Sequence, residues 1–299
     1  MSDCASTVGV VPAHPIRADL HTHSNASDGV HAPADLLQQA SRRGLSVVAL
    51  TDHDTTHGLS QAADMARELG IIFVPGIELS TDVGRGEIHV LGYGISPDAG
   101  RLQETLERLR SSRVTRAEGI LDRLRKLGID VPFDAIAPVE AGASIGRPHI
   151  ARALVTHGHA ASVRDAFDRY LGQGKPAYVA SERLTPVDAV RLIRAASGIP
   201  VVAHPFSSPE FPHSLPPLIA AGLVGLEVYY GEYDEDSRRV LADIASRHGL
   251  IATGGSDYHG PGFKEGRELG SVDIPSVALS RFLEVVAAAT RQADDRSSW

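Results

Sequence analysis

Asp19-Leu20-His21-Thr22-His23 ends an apolar run with two imidazoles one residue apart, and Asp28 follows on the next loop. On an extended chain residues i and i+2 share a face, so His21 and His23 can aim two ring nitrogens into one small volume. Imidazole with carboxylate suits borderline divalent ions such as Zn, Mn and Fe. A single His-x-His is also what a solvated strand end looks like, but here the pattern recurs. Val47 to Leu50 leads to His53, Ile71 to Ile77 leads to Glu78, Pro200 to Ala203 leads to His204, and Ile251 to Ser256 leads to Asp257 and His259. His89 lies inside the short apolar stretch Ile88 to Leu91. Core histidines have no reason to gather at strand ends, and in barrels of alternating strand and helix those ends face the active site.

The elements that would position these residues alternate. Strand-like runs cover 17–22, 46–51, 71–78, 199–204, 224–229 and 250–255, and helical periodicity covers 33–43, 59–69, 185–197, 234–248 and 276–291. Alternation of this kind predicts an α/β fold with a parallel sheet. The pattern breaks between 97 and 180, which reads as a mainly helical insertion dividing the barrel into parts 16–96 and 181–292. Its first helix, around 101–127, carries Leu102, Leu106, Leu109, Leu121, Leu124 and Leu127 at helical spacing and stops at Gly128, a residue suited to the C′ position.

Composition narrows the class. A chain of 299 residues can form one barrel with an insertion. The single cysteine, Cys4, excludes an internal disulfide framework and thiolate clusters. No apolar run approaches the roughly 20 residues that cross a bilayer, and residues 1–15 lack the pattern of a signal peptide, so a cytoplasmic location is expected. A net charge of -8 argues against gripping long duplex nucleic acid, but not against a small anion meeting a local positive site. No obligate protein partner is evident.

The ordered set His21-x-His23, Thr51-Asp52-His53, Gly76-Ile77-Glu78, Ala203-His204-Pro205 and Ser256-Asp257-x-His259 resembles the PHP family, named for polymerase and histidinol phosphatase. The resemblance implies a distorted seven-stranded β/α barrel with two or three divalent ions, Mn first and Fe or Zn as alternatives. Matched by motif, His21, His23, Glu78 and Asp257 would hold one metal, and Glu78, His89 and His204 a second. Asp28, His53 and His259 would hold a third and form the catalytic cluster. His149 competes with His204 for the second metal and is also a candidate proton donor.

Three divalent ions against the carboxylates of Asp28, Glu78 and Asp257 leave a strongly positive core that favours phosphate. A water bridging closely spaced metals would ionise near neutrality and attack phosphorus. Within the insertion, Gly146-Arg147-Pro148-His149 reads as a helix start whose free N–H groups favour phosphate. Arg147 and His149 would add charged contacts there, Arg110 and Arg113 share a helix face three residues apart, and Lys175 sits on a loop suited to approach. The resemblance points to stand-alone members acting on nucleotides, with the 3′-phosphate of 3′,5′-nucleoside bisphosphates as leading substrate and short RNA, hydrolysed 5′ to 3′, as a second. Histidinol phosphate hydrolysis and a non-catalytic, metal-stabilised accessory module are the alternatives. Asp52 reads as a carboxylate orienting a metal histidine, and Asp54 as a turn cap. Glu227 reads equally as a site residue or as a buried carboxylate bonded to backbone, and Tyr229 and Tyr230 read as packing, with stacking on a base as the alternative.

Overall fold

The computed structural model describes residues 16–84, 86–136, 143–180 and 182–297; Cys4 and the segment 1–15 lie outside them. Seven strands form one sheet in chain order: β1 (Ala18–Asp19), β2 (Val47–Leu50), β3 (Ile72–Asp82), β4 (Glu87–Tyr93), β5 (Ile199–Val202), β6 (Gly225–Tyr230) and β7 (Ile251–Gly255). Leu20 N–H donates to Gly254 O at 3.3 Å and Thr22 bridges Tyr258, so the last strand meets the first and the barrel is nearly closed.

The expectation of a parallel sheet is corrected at one strand. β4 runs antiparallel to both β3 and β5, with Asp82 opposite Glu87 and Tyr93 opposite Ile199. This reversal explains the one histidine that did not end an apolar run: the beginning of a reversed strand lies on the same rim as the ends of its neighbours, so His89 meets Glu78 there. The run expected at 17–22 is also shorter as a strand. His21 and His23 lie beyond β1, and backbone bonds hold them in place, Asp257 N–H to His21 O at 2.8 Å and His23 N–H to Tyr258 O at 2.9 Å.

Helices α1 (Pro33–Arg42) and α2 (Leu59–Leu69) follow β1 and β2. Their apolar residues, such as Leu36, Leu37 and Ala62, pack against the outward-facing Val48, Leu50, Ile77 and Leu79. Inward-facing Leu91, Tyr93, Ile199 and Val201 form a second cluster. The last helix joins it, here named α9 (Ser276–Ser297), with Phe282 edge-on to Tyr93 at 4.9 Å between ring centres. A third cluster belongs to the insertion. Helix α3 (Gly100–Lys126) contributes to two of them: Leu102 and Leu106 pack on the barrel, while Ala117, Ile120, Leu121 and Leu124 pack with Ile150 and Leu154 of α4 (Arg147–Thr156). Leu127 is exposed, and Gly128 takes the left-handed conformation (φ +78°) expected past a helix end.

A short helix α5 (Val163–Ala166) runs directly into a π-helical turn, Phe167–Leu171. Helix α6 (Pro186–Ala195) precedes β5, and α8 (Glu235–Arg247) separates β6 from β7. Helix α7 (Phe211–Ala220), between β5 and β6, has no counterpart in the expectations, because Pro216 and Pro217 inside it disguise the helical pattern. No helix among the described residues is long and apolar enough to cross a membrane.

Candidate metal centre

Glu78, fully buried on β3, is the hub of the site. Its Oε2 lies 3.2 Å from a ring nitrogen of each of His21, His23 and His53. Its Oε1 lies 2.8 Å from His89 Nδ1 and 3.2 Å from His204 Nε2. Asp257 Oδ1 stands 3.2 Å from His23 Nε2 and 3.5 Å from His21 Nε2. On the other flank Asp28 Oδ1 is 3.2 Å from His259 Nε2 and 3.9 Å from His53 Nε2. Asp28, His53, Glu78, His89, His204, Asp257 and His259 line a cavity of about 420 Å³, with His21 and His23 fully buried beside it.

These donors fit divalent ions. Three overlapping groups, His21/His23/Glu78/Asp257, His23/Asp28/His53/His259 and His53/Glu78/His89, each place their ligand atoms within 4.8 Å of one another. Two ligands about 2.1 Å from one ion at tetrahedral to octahedral angles stand roughly 3.0–3.4 Å apart, the separation seen around Glu78. Both ring nitrogens of His23 and the Nδ1 of His53 are buried without a hydrogen-bond partner. Buried polar atoms are normally satisfied, so His23 Nε2 and His53 Nδ1, facing carboxylate oxygens without hydrogen-bond geometry, mark a place for a cation. His149 stands apart from Glu78: its Nδ1 accepts the Gly146 N–H at 3.0 Å, and it is His204 that approaches the hub.

The electrostatics agree. Burial alone would raise Glu78, but His53, His21 and His89 hold its carboxyl well below the usual range. His259 and His53 do the same for Asp28, and His21 and Arg267 for Asp257. Burial would lower His23 and His89 too, but the carboxylates beside them win and raise them to about 10 and about 9. His53 goes the other way, to about 4, because burial outweighs Glu78 and Asp28.

Neighbouring groups fix the donors. Glu227 Oε2 accepts the His204 N–H at 2.7 Å while Oε1 meets His21 Nδ1 at 2.9 Å, so both readings of Glu227 hold at once. Asp52 accepts the Ser24 N–H at 2.8 Å and the Ser24 and Ser27 hydroxyls at 2.6 Å, pinning the loop that carries Asp28, and its charge acts on His23. Tyr230 does more than pack, since its hydroxyl donates to Asp257 Oδ2 at 3.0 Å, where Arg267 also binds at 2.6 Å. Asp19 accepts the Ser256 N–H at 2.9 Å, tying the first motif to the last. Gly255 is required by closeness, as a Cβ there would lie 2.4 Å from His21 N. His204 and Asp257 adopt positive φ (26° and 55°), backbone strain of the kind that gathers at functional sites.

A second cavity of about 130 Å³ adjoins the first and shares Asp28, His53, Glu87, His89 and Pro148 with it. Its other walls include Arg113, Arg116, Arg147 and Arg183. Arg147 and Arg183 reach Glu87 Oε1 at 2.9 and 2.7 Å. Arg113 is held by Asp54, with Nε to Oδ2 at 2.9 Å, so Asp54 anchors the insertion and does more than cap a turn. Arg116 is 7% exposed, and its Nη2 has no partner. Burial first, then Arg147 and Arg183, lower its pKa to about 9.

The sequence-derived phosphate candidates divide. Arg113 and Arg147 line this second cavity and α4 begins where expected, with Gly146 and Pro148 in the wall. His149 lies outside the lining residues, and burial lowers its pKa. Arg110 pairs instead with Glu107, and Lys175 is exposed on a turn; neither lines either cavity. Arg116 lies three residues beyond Arg113, the same spacing taken in the other direction, and it is this side of the helix that faces the site. Glu87 was findable as the i−2 neighbour of His89. Arg183 and Arg267 stand on irregular segments and give no periodic signal.

The model of the PHP domain family matches residues 19–124. The chain is 38% identical to the 3′,5′-nucleoside bisphosphate phosphatase of Chromobacterium violaceum, covering 92% of this chain and 99% of that protein. It is also 38% identical to the 5′-3′ exoribonuclease of Haemophilus influenzae, covering 85% and 95%. Among solved structures, an amidohydrolase from Chromobacterium violaceum with bound sulfate and no metal superposes with a TM-score of 0.82 at 36% identity, over 90% of this chain and 96% of that one. Similarity along nearly the full length of catalytic relatives displaces the accessory-module reading: this chain belongs to the PHP family and is a metal-dependent phosphoesterase.

Proposed function

We propose that the protein removes the 3′-phosphate of 3′,5′-nucleoside bisphosphates, and that the same site can cleave short RNA from its 5′ end. The observation that carries this reading is the arginine-walled cavity contiguous with the metal centre. A substrate with one phosphate needs the donor cluster alone, whereas one with two separated phosphates uses both cavities. The names of the relatives agree with either nucleotide substrate.

In this reading His21, His23, Asp28, His53, Glu78, His89, His204, Asp257 and His259 hold two or three divalent ions, with Mn favoured. Such ions supply an acidified water and charge that opposes the negative charge developing on the phosphoryl oxygens. The chain's own contribution is positional. Glu227 keeps the His21 ring with Nε2 toward Glu78, and the Asp52 contacts keep Asp28 over the cavity. Arg147 at the start of α4, with Arg116 and Arg183 beside it, binds the phosphate that does not react. Charged hydrogen bonds of this kind contribute about 1.5–3 kcal/mol each, or roughly 10- to 100-fold.

The test compares kcat/KM for adenosine 3′,5′-bisphosphate, AMP, histidinol phosphate and a 5′-phosphorylated dinucleotide with Mn present. The bisphosphate should exceed AMP at least tenfold. Equal rates on AMP, or a preference for histidinol phosphate, would sink the proposal.

A further inference from the structure

Glu87 stands on the border between the two cavities and lines both. Its Oε1 binds Arg147 Nη2 at 2.9 Å and Arg183 Nη1 at 2.7 Å, and its Oε2 meets His89 Nε2 at 3.4 Å. The other nitrogen of that ring, Nδ1, faces Glu78 at 2.8 Å. A continuous relay therefore runs from the arginines through Glu87 and His89 to Glu78. It joins α4, the segment leading into α6, and strands β4 and β3.

We infer that Glu87 is a positioning residue with two duties: it orients His89 for metal, and it is an internal anion that occupies Arg147 and Arg183 until a substrate phosphate takes its place. The inference rests on the proposed reading of the arginine cavity as an anion site. A carboxylate accepting from the remote nitrogen of a metal histidine fixes the ring's tautomer and direction, and losing such a partner typically weakens metal binding about 10- to 100-fold. The same carboxylate repels a phosphate arriving at the same two guanidinium groups. Removing its charge without changing its size therefore acts on the two ligands in opposite directions, a signature that general damage to the fold cannot produce.

Glu87→Gln is the test variant, its folding checked by circular dichroism. Isothermal titration of the metal-free protein with inorganic phosphate, and separately with Mn2+, should show phosphate binding tightened severalfold and Mn2+ binding weakened at least tenfold. If phosphate affinity falls or stays put, or Mn2+ affinity is unchanged, the inference is overturned. Arg183→Gln gives a second measure. It should weaken Mn2+ binding in the wild-type background and have no further effect beside Glu87→Gln; independent, additive losses would overturn the relay. A wild-type protein that keeps its preference for bisphosphate while Glu87→Gln fails these tests leaves the anion cavity standing and removes only Glu87's role, whereas loss of that preference removes both.

Discussion

Glu227 Oε1 lies 2.9 Å from Nδ1 of His21, and both side chains are fully buried. The contact commits the Nδ1 proton of His21 to Glu227 and turns Nε2 toward Glu78 and Asp257. Because Oε2 also holds the His204 backbone, one carboxylate stations two of the proposed ligands.

Glu227→Gln keeps the shape and removes the charge. One of its two bonds must then face an amide NH2. Mn2+ affinity measured by calorimetry should fall about 10- to 100-fold, with activity largely restored at high Mn2+. Wild-type affinity in the variant would show that the contact is only structural.

Arg116→Met separates stability from function. Arg116 is a buried cation with an unpartnered nitrogen beside three other arginines, so an apolar side chain of similar length should leave the thermal midpoint equal or higher. The same change should lower kcat/KM for adenosine 3′,5′-bisphosphate roughly 10- to 100-fold, while p-nitrophenyl phosphate is hydrolysed as before. Equal losses on both substrates would remove Arg116 from the second-phosphate site.

Asp54→Asn tests how the insertion is docked. Asp54 sits at φ +52°, where asparagine is tolerated, so the exchange removes charge without new backbone strain. Arg113 would then be buried without its counter-ion. Breaking such a pair costs about 3–5 kcal/mol, and urea denaturation should report a loss of that order; a change below 1 kcal/mol would mean that the apolar contacts of α3 dock the insertion alone.

The metal-free protein should depend on pH through His23 and His89, raised to about 10 and about 9 by the carboxylates around them. Unfolded histidine titrates near 6.5. The folded state thus holds these protons more tightly, and their stabilising contribution is complete below pH 6.5 and lost as pH rises through 9 to 10. The thermal midpoint of metal-free protein should fall between pH 7 and 10. Divalent ions need neutral rings, so Mn2+ binding should release protons and tighten across the same interval. Calorimetry at pH 8 in buffers of different ionisation enthalpy counts those protons, and a count of zero would contradict the assignment.

The donor cluster was legible because His21, His53, Glu78, His204 and Asp257 each follow an apolar run, and apolar runs betray strands. The reversed β4 was not, because strand direction leaves no mark on the composition of a seven-residue segment. Periodicity placed α3 and its buried leucines, yet it paired Arg113 with Arg110, whereas Arg116, equally three residues from Arg113, lines the second cavity. Ser27 bonded to Asp52, Arg113 to Asp54 and Arg183 to Glu87 stand 25, 59 and 96 residues from their partners, contacts that only tertiary packing decides.

The reversal of β4 leaves the chain on the floor of the barrel, opposite the rim where the chemistry is, and α3 is the staircase back. From Gly100 to Arg113 it climbs about 20 Å at 1.5 Å per residue, which delivers Arg113 to Asp54 at rim height. Helix phase and barrel depth are therefore geared together: one residue inserted between Gly100 and Arg113 would turn the arginine face by about 100° and break the Arg113–Asp54 contact, though no residue of the metal centre had been touched.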